Sequence, residues 1–233
     1  MPAKTAIKSF YPKAEEGEAV TSRLMKELNE KHGFDNKKTI LATSVCSDEV
    51  IQSATNFRDY VALEQPFQIG GLAGFPFTGL TGLKAFAGHV PDDGSAIILY
   101  GPHIGISEKD HLGKVIRSGQ TLETSCCGAL MGVLGTFKDG SEDEIDETLD
   151  YQQWTLTKQL SDSRDTIIES SDPLIPTTNR MFERIDERIK TLVDETSDPF
   201  KGNKIALIGG IIINTDYGHP DWFELREFSV RTF

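Results

Sequence analysis

The hydrophobic pattern of this chain predicts an α/β fold, a mostly parallel sheet flanked by helices. Two β-branched, apolar runs, 39–45 and 96–100, stop abruptly at Cys46-Ser47-Asp48 and at Gly101-Pro102-His103. A third run, 205–214, is almost wholly apolar, as a strand covered on both faces must be. Segments of helical periodicity separate these runs, the alternation that brings parallel strands into one sheet. A chain of 233 residues can bury a sizeable core, so one domain is expected over 1–233, with an N-terminal helical arm at 1–36 and a long helical segment at 141–200.

In order along the chain, Val20, Leu24, Met25 and Leu28 recur at helical spacing, predicting a helix from about Glu16 to His32 that Gly33 stops. The run into Cys46 follows, and Asp48-Glu49 opens the next helix with acids at its positive end. Residues 70–79 hold too many glycines for a regular element and must form a shaped loop. Leu83 and Phe86 restore helical spacing up to His89, and Pro91-Asp92-Asp93-Gly94 turns the chain into the 96–100 strand. Val115 and Ile116 suggest a short antiparallel piece ahead of Cys126-Cys127. Beyond Gly140 one long helix is expected to reach about Ser170. A second, after Pro173 and Pro176, carries Met181, Phe182, Ile185, Ile189, Leu192 and Val193 on one stripe. The alternating tail from Trp222 to Val230 reads as an edge strand.

A net charge of −12 and a pI near 4.9 exclude the basic footprint that nucleic-acid recognition requires. No apolar run approaches the roughly 20 residues of a membrane span. Three cysteines, two of them adjacent, make a poor disulfide framework and point to a metal or a reduced interior. Adjacent Cys126 and Cys127 also lack the spaced Cys-x-x-Cys arrangement of thiol redox proteins. The first residues carry neither a secretory h-region nor a transit-peptide composition, which fits a cytosolic protein or one written without its targeting segment.

The residues at the strand ends carry the chemistry. Cys46, His103 and one of Cys126 and Cys127 form a Cys-His-Cys set, the kind of trio that leaves a fourth zinc position open. A small cysteine at a strand end is also ordinary core packing, and only the coincidence of three such positions favours the metal. Asp48 can orient a water at such a site, serve as a fourth ligand, or merely cap a helix. His89, beside the glycine-rich loop, has the residue type of a proton carrier, while His111, His32 and His219 read as solvated.

These motifs resemble a known family. Cys46-Ser47-Asp48-Glu49-Val50, Gly74-Phe75-Pro76-Phe77-Thr78-Gly79, Phe86-Ala87-Gly88-His89-Val90-Pro91-Asp92-Asp93-Gly94, Gly101-Pro102-His103-Ile104-Gly105 and Cys126-Cys127-Gly128 are similar to segments of the limiting-CO2-inducible proteins B and C of algae. That group is related to the theta-class carbonic anhydrases. The resemblance implies a beta-carbonic-anhydrase-like fold, usually dimeric, with Zn²⁺ as cofactor. It also implies a lyase acting on CO2 and bicarbonate in an algal carbon-concentrating mechanism, with the chloroplast as its compartment and the cytoplasm as the alternative. Carried over, Cys46, His103 and Cys127 are the zinc ligands, with Cys126 in reserve; Asp48 is the motif acid, and His89 is a second histidine of the pocket. Phe75, Phe77 and Gly74 are expected to shape a narrow apolar pocket for CO2.

The resemblance has one departure. The active pattern reads Cys-x-Asp-x-Arg, where the arginine pairs with the aspartate, and here Val50 takes the arginine position. Arg58, further along the same segment, is the expected substitute. The alternative is a zinc-binding homologue without turnover, acting as a CO2- or bicarbonate-binding or assembly protein.

Overall fold

Three apolar runs become the middle of a mixed sheet in a computed structural model that describes residues 2–53, 56–62 and 65–233. β2 (Thr39–Ser44) and β4 (Ser95–Tyr100) are buried at every position. They lie parallel to each other and to the long β8 (Lys204–Asn214), with Ile40 opposite Ala96 and Ala96 opposite Ile205. Strands buried in this way are apolar at their centres, here Ile40-Leu41-Ala42 and Ala96-Ile97-Ile98-Leu99. β3 (Phe67–Gln68) extends the sheet beside β2 in parallel. On the other side β9 (Trp222–Thr232) runs antiparallel to β8. β1 (Glu15–Glu16) covers β9 only at Trp222 and Phe223, so the expected edge strand borders the sheet over most of its length.

The step that carries the chain from β4 to the site depends on glycine. β5 (His103–Gly105) is a separate short strand, pairing with the far half of β8 so that His103 lies opposite Ile212. His103 thus lies just past the carboxyl end of β4, as expected, and opens a short strand of its own. The offset forces Gly101 against β8. Its φ is +149°, and a Cβ there would lie 1.8 Å from the Gly210 carbonyl oxygen. Gly74, at φ +82°, fills the next layer, where a Cβ would meet the Gly101 carbonyl oxygen at 2.4 Å.

The helices depart from expectation in two places, at the N-terminus and within 141–170. α1 (Pro2–Phe10) precedes the expected first helix and leads into Tyr11, which is buried with Ile7. α2 (Gly17–His32) then buries Val20, Leu24, Met25 and Leu28, and Gly33 closes it in the left-handed region. After α3 (Gly79–Ala87), two short strands, β6 (Lys114–Val115) and β7 (Thr124–Ser125), pair as a hairpin ahead of α4 (Gly128–Asp139). The single long helix expected at 141–170 is broken into α5 (Tyr151–Leu160) and α6 (Arg164–Ile168). Asp150 starts α5 by accepting the Gln153 N–H, and the Ser161-Asp162-Ser163 side chains bond locally in place of helical continuation. α7 (Leu174–Asp194) buries Met181, Ile185, Ile189, Leu192 and Val193. It packs on β8 and on α3 to α6, so its stripe is covered within one chain and gives no argument for a second copy. No helix among the described residues is long and apolar enough to cross a membrane.

Candidate metal centre

Cys46, His103 and Cys127 meet just beyond the carboxyl ends of the parallel strands. Each arrives by a different element: Cys46 leaves β2, His103 opens β5, and Cys127 precedes the first residue of α4. All three are buried, and their ligand atoms lie within 4.8 Å of one another. Cys46 Sγ and Cys127 Sγ are 3.9 Å apart. Two sulfurs on a tetrahedral zinc, each at about 2.3 Å, are separated by about 3.8 Å. The spacing of the two thiols matches the edge such a site would need.

His103 is wholly buried. Its Nδ1 lies 2.9 Å from Asn214 Oδ1, while its Nε2 is buried with no hydrogen-bond partner. An orphaned polar nitrogen in the interior costs free energy unless something is to bind it. Cys126 occupies the other side of the ring, with Sγ 3.4 Å from Nδ1 and 3.7 Å from Asn214 Oδ1. Asp48, His103 and Cys126 form a second compact set. The first set fits a metal better, because it has the sulfur–sulfur edge. The Cys127 neighbour and burial both push the Cys46 thiol well above its ordinary range. Burial draws His103 downward, but the Cys126 and Cys46 sulfurs outweigh it and hold the imidazole well above its usual value. Protons therefore occupy the set that a cation would take.

Asp48 has a positive partner that sequence reasoning did not single out, Arg117. Arg117 Nη2 donates to Asp48 Oδ2 at 2.7 Å, with the two side chains 16% and 13% exposed. The same guanidinium reaches Glu49 through Nε at 3.0 Å and the Ser125 carbonyl at 3.2 Å. The arginine missing at position 50 is thus supplied from the turn of the β6–β7 hairpin, far along the chain. Pairing of Val115 with Thr124 holds this turn beside Cys126. Arg58 lines a cavity of about 320 Å³ next to Cys46, Ser47 and Asp48.

Other expected pocket residues are not brought to that cavity. Its apolar wall comes from Val45, Ile51, Pro66 and Leu99. Phe75 and Phe77 pack on each other at 5.2 Å, and Phe77 packs on Tyr151 at 6.2 Å, which places the pair against the helical layer. Gly74 serves the close approach to Gly101 and accepts the Ser44 hydroxyl, a packing role. His89 is exposed and packs edge-on against Phe67 at 5.6 Å. The nine residues of α3 carry it about 13 Å along the helix axis from the glycine-rich loop.

Fold and site together define an α/β protein with a Cys–His–Cys centre at the carboxyl edge of its parallel strands. The chain belongs to the limiting CO2-inducible proteins B/C beta carbonic anhydrases, whose family model matches residues 17–232. A crystal structure of PtLCIB4, a homolog of the limiting CO2-inducible protein LCIB, is 33% identical with a TM-score of 0.91, covering 98% of this chain and 95% of that one. A point mutant of PtLCIB4 is 32% identical with a TM-score of 0.91, over 100% and 95%. LCIB itself, 19% identical with a TM-score of 0.72 over 95% and 92%, shares the fold. A search of curated proteins gives no match.

Proposed function

We propose that this protein is a zinc-dependent carbonic anhydrase interconverting CO2 and bicarbonate, in the carbon-concentrating role the resemblance implies. One arrangement carries the reading: two buried sulfurs at a tetrahedral edge and an orphaned imidazole nitrogen, next to a carboxylate held by arginine. Cys46, His103 and Cys127 would hold the ion. Zinc so held supplies Lewis acidity, the chemistry by which water becomes a nucleophile near neutral pH. Two thiolates neutralise the dication and weaken that acidity, so the protein must add help of its own. Asp48 supplies it as a hydrogen-bond acceptor, aimed and kept in place by Arg117. The cavity beside Cys46, with Val45, Ile51 and Leu99 on its wall, offers a small, partly apolar space of the kind CO2 needs.

The test is metal analysis together with stopped-flow CO2 hydration on zinc-replete protein. About one zinc per chain and hydration above the buffer rate are expected. Protein without zinc would overturn the reading, and zinc without hydration would give the chain to the binding or assembly alternative. Light scattering tests the homodimer that the resemblance implies against the 25.8 kDa of one chain.

A further inference from the structure

We infer that Asn214 is the positioning residue of the metal centre: it fixes which nitrogen of His103 faces the metal and ties that histidine to the segment carrying Asp48. The inference rests on the metal reading above and names a residue that reading does not use. Asn214 ends β8 and is wholly buried. An amide side chain can be placed either way round, and its neighbours decide. Asn214 Nδ2 lies 3.1 Å from the Val50 carbonyl and 3.2 Å from Asp221 Oδ2, and both are acceptors. The NH2 group must therefore point there.

That leaves Oδ1 facing His103 Nδ1 at 2.9 Å, so Nδ1 must be the nitrogen that donates. With the Nδ1 proton committed, the lone pair belongs to Nε2, the buried nitrogen without a partner. Asp221 is anchored in turn, its Oδ1 accepting the Thr215 N–H at 2.9 Å. The chain of constraint runs from the Asp221 carboxylate through the Asn214 amide to the ring. Its branch to the Val50 carbonyl holds the segment two residues beyond Asp48. Metal-bound histidines are commonly oriented this way, and losing the partner costs roughly 10- to 100-fold in metal affinity.

The experiment measures Zn²⁺ affinity of the full chain by chelator competition, and the His103 Nδ1–H signal of zinc-loaded protein by ¹⁵N-edited NMR. Asn214→Leu, similar in size and unable to accept, is expected to bind zinc roughly 10- to 100-fold more weakly and to lose the protected Nδ1–H resonance. Asn214→Asp keeps an acceptor on Nδ1 but sets a second carboxylate against Asp221 and the Val50 carbonyl. It should melt at a lower temperature yet stay within a few-fold of wild-type zinc affinity, with the Nδ1–H signal retained. A merely structural asparagine predicts the reverse order, with the aspartate variant at least as weak as the leucine one. That order, or an unchanged Asn214→Leu, overturns the inference while the zinc reading stands. If Asn214→Leu does not fold, the aspartate variant decides alone. Wild-type protein that binds no zinc would remove the reading and the inference together.

Discussion

Arg117→Ala is expected to abolish CO2 hydration, by at least about 100-fold, while zinc stays near one per chain. Asp48 and Arg117 are both largely withdrawn from water, at 13% and 16% exposure, so their pairing is much less screened than a surface salt bridge. Removing the guanidinium leaves a largely buried carboxylate without its arginine, close to where a bound zinc would sit. With zinc bound, Asp48 would then compete as a ligand instead of accepting a hydrogen bond beside the ion. Arg117→Lys should recover little, because one ammonium cannot reach Asp48, Glu49 and the Ser125 carbonyl together as the planar fork does. Val50→Arg in the Arg117→Ala background, returning arginine to the motif position, is expected to restore part of the rate. Hydration is compared at equal zinc content. An active Arg117→Ala together with an inactive Arg58→Ala would return the role to Arg58.

What the sequence made legible was local. Strands ending at Cys46 and near His103 could be read because β-branched runs stop where ligand-type residues begin, and a strand end is set by its own few residues. The partners of those residues could not be read in the same way. Arg117 reaches Asp48 across 69 positions, and Asn214 reaches His103 across 111. No periodicity encodes such pairs; they follow from β6–β7 pairing and from β8 running past β4 to serve β5. Phe75 and Phe77 show the same limit from the other side. Their apolar character was plain, but the contact of Phe77 with Tyr151, a residue of the helical layer far along the chain, was not. The fracture of the 141–170 helix was visible in principle, since Ser161-Asp162-Ser163 is a cluster of residues that compete with helical hydrogen bonds.

Cys127→Ser is expected to lose most of the zinc, and Cys126→Ser to keep it. The neighbours differ in what their sulfurs already do. Cys127 Sγ stands 3.9 Å from Cys46 Sγ at the tetrahedral edge, whereas Cys126 Sγ lies within reach of the Asn214 Oδ1 acceptor, on the Nδ1 side of the ring. Loss of a thiolate ligand should cost more than the roughly 10- to 100-fold of a lost supporting hydrogen bond, and Cys46→Ala and His103→Ala should release the metal as Cys127→Ser does. The pH dependence has a definite sign. The neighbouring Cys127 and burial hold the Cys46 thiol protonated above its ordinary range, and the cysteine sulfurs hold the His103 proton as well. Zinc needs the thiolate and the neutral imidazole, so each proton must leave as the metal enters. Affinity should therefore rise with pH through the neutral and alkaline range, with proton release measurable by calorimetry in buffers of different ionisation enthalpy. Cys126→Ser should preserve that slope, and Cys127→Ser should flatten it by removing both a ligand and the group that raises Cys46. The opposite pattern, with zinc lost from Cys126→Ser and kept in Cys127→Ser, would move the metal to the set formed by Asp48, His103 and Cys126, which makes Asp48 a ligand and leaves Arg117 holding the metal's own carboxylate.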